Sequence, residues 1–366
     1  MKVDFQRNVF CLLGLPFDAV NMAGAVQHVR DAVVQRTPCL ISTPNLNFLI
    51  GCLKDDQFRD SVIHSDLSIA DGMPLVWIAR SMGIPIRTRV AGSDLFEQLK
   101  NERAAPLGVY FFGGMAGVAE AACRRLNAES AGVLCVGYEF PGLGSIEEMS
   151  GDASIAKINA SNADFLLVAL GAKKGQTWIV RNRARISVPV ISHLGAVLNF
   201  VAGTVNRAPG WVQKTGLEWL WRIKEEPMLW RRYFWDGLAF LSLLATRVLP
   251  YTWYLHINKR NAHLLAPTSM EAWDEKHYYI IRLKGAWRQS NIAPLRDCFA
   301  KAVRAEKHIK LDTSGVAYID SAFVGLTILL QGHQKQQGRQ LLIDSPSKNV
   351  RRVIKYCCAE YLYLSR

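Results

Sequence analysis

The sequence predicts an α/β protein: a Rossmann-like, mainly parallel sheet with helices on both faces, then a basic amphipathic helical appendage, then a small α/β domain. Three observations predict it. Short apolar runs alternate with amphipathic stretches through the first 205 residues; Trp, Tyr and Leu interleave with Arg and Lys between Arg207 and Arg260; and a second series of strand-like and helical stretches follows a polar join. A chain of 366 residues, half of them hydrophobic, suffices for one large and one small core.

In residues 1–205 the runs PCLISTPN, LGVYFFGG, GVLCVGYEF, ADFLLVALG and VPVISHLG read as strands, each followed by a polar or helical pattern. Parallel sheets bind ligands beyond the carboxyl ends of their strands, so Thr43, Asn45, Gly113, Gly114 and the Gly171 segment are the first suspects. Residues 206–257 form the appendage. Indole prefers headgroup depth and cations meet acidic lipids at about 1 kcal/mol each, which suits this stretch to an anionic membrane surface. Its apolar centre, Leu238 to Thr246, is shorter than the roughly 20 residues needed to span, and Asp236, Arg247 and Pro250 interrupt it, so it is expected to lie on the membrane. A buried helical hairpin with core tryptophans, or a homo-oligomer interface, has the same composition. A linker over 258–276 leads to a domain over 277–366, where HYYIIRLKG, HIKLDTSG, VAYID and RQLLID read as strands. Ser321 to Gln337 and Asn349 to Cys358 read as helices, with Gly338 ending the first.

A formal charge of +13 demands an anionic partner. Nucleic acid is disfavoured, because the basic residues interleave with Trp and Leu instead of lining a polar groove. The eight cysteines show no C-x-x-C spacing and mostly lie in apolar runs, which predicts reduced, buried thiols and a cytoplasmic protein without structural zinc. The opening MKVDFQRNVF lacks the apolar core and cleavage site of a signal peptide. The histidines, among them His28, His64 and His193, lack metal-ligand spacing, and no G-x-S-x-G elbow supports a hydrolase.

The stretch from Thr43 to Leu95 is the richest in candidate chemistry. Asp71, set among Ile69, Ala70, Met73 and Leu75, is a candidate general base, since desolvation disfavours its charged form. It is equally placed to cap a helix starting near Met73.

Thr43-x-Asn45, the Ala70-Asp71-Gly72-x-Pro74-Leu75 stretch and Arg89-Val90-Ala91-Gly92-Ser93-Asp94-Leu95 together resemble the WecG/TagA/CpsF glycosyltransferase family. The resemblance continues through GVYFFGGMAG at 108–117 and through Gly195, Gly203, Arg207-Ala208-Pro209, Glu218-Trp219, Arg222, Pro227 and Arg232-Tyr233. It implies an inverting transferase that moves a sugar from a UDP-sugar donor to an undecaprenyl-diphosphate-linked saccharide, without metal or other cofactor, at the inner face of the cytoplasmic membrane. It implies also that Asp71 deprotonates the acceptor hydroxyl while Thr43 and Asn45 orient the acceptor or the diphosphate. Arg89, Gly92 and Asp94 fall in the family's motif as substrate-binding positions. No D-x-D pair is present to hold a divalent ion, so backbone amides at Gly113-Gly114 and the arginines Arg207, Arg222 and Arg231 are the candidates to stabilise leaving UDP. Where the family usually shows G-x-P-K-Q-E before a Trp, this chain has Gly171-Ala172-Lys173-Lys174-Gly175-Gln176-Thr177-Trp178. The proline and glutamate are absent, and Gln176 is left as a candidate amide contact to nucleotide or sugar.

Residues 309–344 resemble STAS domains of the anti-sigma-factor-antagonist type, with Asp320-Ser321 where such domains are often phosphorylated. The resemblance implies a protein partner and a regulatory Ser321. A serine opening a helix also serves as a plain N-cap, and Asp-Ser-Ala-Phe replaces the family's Asp-Ser-Ser-Gly. A catalytically inactive transferase-fold scaffold regulated through the STAS-like domain is the alternative to an active enzyme.

Overall fold

The computed structural model describes residues 3–102, 105–258 and 266–364. Part of the linker expected over 258–276 lies outside these residues. Among the described residues, twelve strands, in chain order, form three sheets: β1 Val9–Leu12, β2 Leu15–Asp18, β3 Cys39–Ser42, β4 Leu67–Ser68, β5 Leu107–Gly113, β6 Val133–Glu139, β7 Phe165–Ala169, β8 Val190–His193, β9 Ser269–Asp274, β10 Tyr278–Trp287, β11 His308–Ile319 and β12 Leu341–Asp344.

The large sheet has the order β4-β3-β8-β7-β5-β6, and every pairing is parallel. Its central strands read as continuous apolar runs because helices cover both faces. The two layers are separate clusters, one around Phe96, Phe111 and Phe165, the other around Phe112, Trp178 and Leu166. The Phe112 and Trp178 rings stack at 4.3 Å. All five runs anticipated in the sequence are strands of this sheet; β4, two residues long, and the antiparallel hairpin β1-β2 were not anticipated.

The C-terminal sheet has the order β12-β11-β10-β9. HIKLDTSG and VAYID, read as separate strands, run together as β11, with register shifts against β10. The strand β9 adds an antiparallel edge from within the expected linker. Helices Ser321–Gln336 and Lys348–Tyr356 pack on this sheet, and Gly338 follows the first with φ +65°.

The two α/β units share one core. The hairpin β1-β2 lies against helix Ser321–Gln336, and a single apolar cluster joins Phe10, Leu12 and Phe17 to Phe323, Leu326, Leu330 and Phe299. Glycine makes the approach possible: a Cβ at Gly325 would stand 2.9 Å from the backbone nitrogen of Cys11. The hydroxyl of Tyr361 donates to the Gly14 carbonyl at 2.8 Å, and the Arg59 guanidinium lies 3.9 Å over the Tyr361 ring.

The appendage holds the short helices Gly210–Thr215 and Glu218–Glu225 and then one helical run, Pro227–Asn258, with an 18-residue stretch of mean hydropathy 1.2, long and apolar enough to cross a membrane by length and composition. That corrects the short apolar segment expected. The run is nonetheless fastened along its length. Asp236 turns inward to accept from the Asn47 amide at 3.1 Å, Arg247 pairs with Glu360 at 2.8 Å, and Tyr251 and Tyr254 are buried beside Tyr318 and Tyr356. Trp219, Trp230, Trp235 and Trp253 are exposed, which rules out the core reading for these tryptophans.

Six cysteines are free and buried, as expected, but Cys123 and Cys135 form a disulfide between helix Val118–Glu129 and β6. The expectation of reduced thiols throughout is corrected there: the residues sit on facing elements and bring their sulfurs together, which spacing along the chain does not reveal.

Candidate active site

Parallel pairing continues beyond the ends of β3 and β4. The amide of Ile69 donates to the Ser42 carbonyl, that of Asp71 to Pro44 and that of Val90 to Ala70, each at 3.0 Å. These bonds place Asp71 beside Pro44 and Asn45 at the carboxyl edge of the sheet, where parallel sheets bind ligands. Helix Met73–Ser81 begins after Gly72, with no side-chain cap, so the capping role considered for Asp71 does not hold. Its carboxylate instead accepts from the Gly92 amide at 3.3 Å. Burial pushes the Asp71 carboxyl up to about 6; Arg89 and the Gly92 bond oppose the shift, Glu218 adds to it and Arg222 opposes it. A carboxylate so poised accepts a proton near neutral pH.

Thr43 is buried directly behind it. A Cβ on Gly92 would stand 3.1 Å from the Thr43 methyl and would collide with Leu194, so only glycine brings the Asp71-bonded amide this close. Asn45 is the N-cap of helix Leu46–Lys54, its side-chain oxygen accepting from the Phe48 amide at 3.1 Å. The Asn45 Cβ lies 4.0 Å from the Cβ position of Gly72, so the cap residue borders the Asp71 turn. Thr43, Asn45, Asp71 and Gly92 thus form one constellation.

The charged candidates compensate one another. Arg89 pairs with Asp94 at 2.7 Å and with Glu218, while Arg207 pairs with Asp94 and reaches the Ser93 hydroxyl at 3.3 Å. Arg89, Asp94 and Arg207, the substrate-binding candidates, are thus joined with Glu218 in one chain of ion pairs that ties the appendage to the Asp71 turn. Arg222 pairs with Glu226 at 3.3 Å and lies over the Phe200 ring, yet its charge still acts on Asp71. Arg231 sits over Trp230 on the exposed helix and is not among the charges that act on Asp71.

Three further candidates, Gly113, Gly114 and Gln176, are engaged within the fold. The Gly114 amide donates to the Ala169 carbonyl at 2.8 Å and is not available to an anion, and the helix after it opens only at Val118. Gly113, at φ +107°, is required because its Cβ would lie 2.6 Å from that same carbonyl oxygen. Gln176 is fully buried and donates to the Ser42 hydroxyl at 2.9 Å, so it borders the site through Ser42.

Sequence reasoning missed Glu218, which raises the Asp71 carboxyl, and His193, which ends β8 at the same edge of the sheet. Their signals were present in the Glu218-Trp219 pair and in the last polar position of VPVISHLG. Among the described residues, no three His, Cys, Asp or Glu side chains converge as metal ligands would.

Ser321 lies far along the chain from this site and is only 5% exposed. The N-cap of its helix is Asp320, which accepts from the Ala322 and Phe323 amides at 3.0 Å and from Gln289 at 2.8 Å. Asp320 thus holds the helix-start amides that a phosphate on Ser321 would otherwise meet. The N-cap reading of Ser321 is therefore corrected, since Asp320 is the cap.

The fold and the Asp71 constellation define a glycosyltransferase with an appended helical segment. The model of the glycosyl transferase WecG/TagA/CpsF family matches residues 10–252, and a Mlab, STAS domain model matches residues 271–358. The chain belongs to the WecG/TagA/CpsF family and carries a C-terminal STAS domain. It is similar to the N-acetylglucosaminyldiphosphoundecaprenol N-acetyl-beta-D-mannosaminyltransferase of Bacillus subtilis (strain 168), 25% identical over 226 residues, covering 60% of this chain and 84% of the relative. The protein of the same name from Bacillus spizizenii is 26% identical over 220 residues, covering 60% and 84%. That from Staphylococcus aureus (strain MW2) is 22% identical over 224 residues, covering 60% and 85%.

Proposed function

We propose that this glycosyltransferase moves a sugar from a UDP-sugar to an undecaprenyl-diphosphate-linked saccharide in cell-surface polysaccharide synthesis, with inversion at the anomeric carbon. The observation that carries the reading is Asp71: a partly exposed carboxyl, lifted to about 6, at the carboxyl edge of a parallel sheet and bonded to the Gly92 amide. In the reaction, Asp71 takes the proton of the acceptor hydroxyl as the oxygen attacks the anomeric carbon from the face opposite UDP. The glycosidic bond forms as the bond to UDP breaks, and UDP leaves with its electron pair. The relatives' names support the polyprenyl-linked acceptor.

The long helix is proposed to rest on the anionic inner face of the cytoplasmic membrane. Trp230, Phe234, Trp235, Leu238 and Leu241 are exposed on it, and the Asn47–Asp236 and Arg247–Glu360 bonds hold it along the folded units, an arrangement that suits lying in the interface over crossing it. A protein partner of the STAS domain would need a surface other than helix Ser321–Gln336, which β1-β2 covers.

UDP release from a panel of UDP-sugars, with a short-chain prenyl-diphosphate saccharide as acceptor, tests the reading. Acceptor-dependent release that persists in EDTA and falls about 10²- to 10⁴-fold in Asp71→Asn is expected. Equal background release by both folded proteins across the panel would support the inactive scaffold instead.

A further inference from the structure

His193 ends β8 with its imidazole 8% exposed, and its Nε2 has no hydrogen-bond partner. The ring sits between two glycines that open helices. A Cβ built on Gly175 would lie 3.0 Å from the ring Cγ and 3.1 Å from Nε2, and one built on Gly195 would lie 3.4 Å from Nε2. Gly175 is in the first turns of helix Ala172–Asn182, and Gly195 is the first residue of helix Gly195–Ala202. The notch exists because both positions lack a side chain, and His193 takes the space that a side chain at 175 would fill.

Counted from Gly171, position 175 is where the family pattern G-x-P-K-Q-E carries its glutamine; this chain has glycine there, and the His193 ring occupies the space beside it. The environment suits an anion. Two helix N-termini converge there with their positive dipole ends, and among the described residues no protein acceptor takes the amides of Ala172, Lys173, Lys174, Gly195 or Ala196. Lys173 and Lys174 on the same turn are held by Asp55 and by the Gly144 carbonyl. His193, by contrast, is both buried and unspent at Nε2. Its neighbour Leu194 packs at Gly92 beside Thr43, which puts the notch next to the Asp71 constellation.

We propose that His193 binds the diphosphate of the nucleotide donor, its Nε2–H donating to a phosphate oxygen in the notch between Gly175 and Gly195. The proposal rests on the UDP-sugar reading above and adds the group that recognises the leaving group. Burial, which lowers the imidazole to about 4, keeps the ring neutral in the empty site, so it serves as a hydrogen-bond donor there and not as a fixed cation. A diphosphate supplies the acceptor that a buried donor otherwise lacks.

UDP itself is the probe, titrated calorimetrically into the full-length protein, independently of turnover. His193→Phe, which keeps a ring and removes the donor, is expected to weaken UDP binding by about tenfold to a hundredfold, the range for a hydrogen bond to a charged group. Gly175→Ala, which pushes the ring out of its place, is expected to weaken it in the same direction, with thermal melting showing both variants folded. In turnover the loss should fall on KM for the UDP-sugar and leave kcat nearly unchanged. Wild-type affinity for UDP in a folded His193→Phe or Gly175→Ala protein would overturn the proposal while leaving the donor reading intact. A wild-type protein that binds no UDP would overturn both.

Discussion

Asp71 answers two opposed demands. Its carboxyl must ionise to act as a base, and its burial resists ionisation. The folded chain therefore holds this proton more tightly than the unfolded chain, where a carboxyl titrates near 4. The site's contribution to stability is full below about pH 4, declines as pH rises and is gone above about 6. Asp71→Asn is accordingly expected to stabilise the protein at pH 7.5 by on the order of 1 kcal/mol, after allowance for solvent screening of a partly exposed group, and to leave it unchanged at pH 4. Denaturant titrations at the two pH values check this. Thr43 and Asp71 were legible in the sequence because they end apolar runs in a parallel sheet. Gln176 and Arg207 were legible as polar groups but not in their use, since burial against Ser42 and pairing with Asp94 depend on segments 134 and 113 residues away.

At the scale of elements, strands longer than three residues in the large sheet were readable from apolar runs, while β4 and the hairpin β1-β2 were not. A two-residue strand carries no periodicity, and the hairpin owes its place to helix Ser321–Gln336, not to a neighbour in sequence. That contact predicts its own weak point. Gly325→Val would drive side-chain atoms into the backbone of Phe10 and Cys11, each 2.9 Å from the Cβ position. A loss of about 1–3 kcal/mol is expected, as for overpacked cores. Hydrogen exchange should show it as lost protection in both β1-β2 and the C-terminal helix; loss confined to the helix would mean that the units do not share stability.

Over the whole molecule, the chain folds back so that its first strands and its last domain share a core, and the long helix is braced by both. The face proposed to meet the membrane is the one left unbraced: Trp230, Trp235 and Trp253 are exposed on a helix whose Tyr251 and Tyr254 are buried. Replacing the three tryptophans by Ala is expected to reduce sedimentation with anionic vesicles strongly, and wild-type binding should weaken as salt rises, because cation–headgroup attraction is screened within about 8 Å at physiological ionic strength. Salt-independent binding unaffected by the substitutions would place the membrane contact elsewhere. Composition left lipid, core and oligomer open, and the fold, by exposing these rings, removes the core reading.

The pH dependence of kcat/KM for acceptor-dependent UDP release tests the central claim most directly. With Asp71 as the base, the rate should rise with pH along a limb centred near 6 and then level. In Glu218→Gln that limb should move to lower pH, because removing a neighbouring negative charge eases ionisation of Asp71. A limb that stays in place in Glu218→Gln, or that survives unchanged in Asp71→Asn at wild-type rate, would contradict the account.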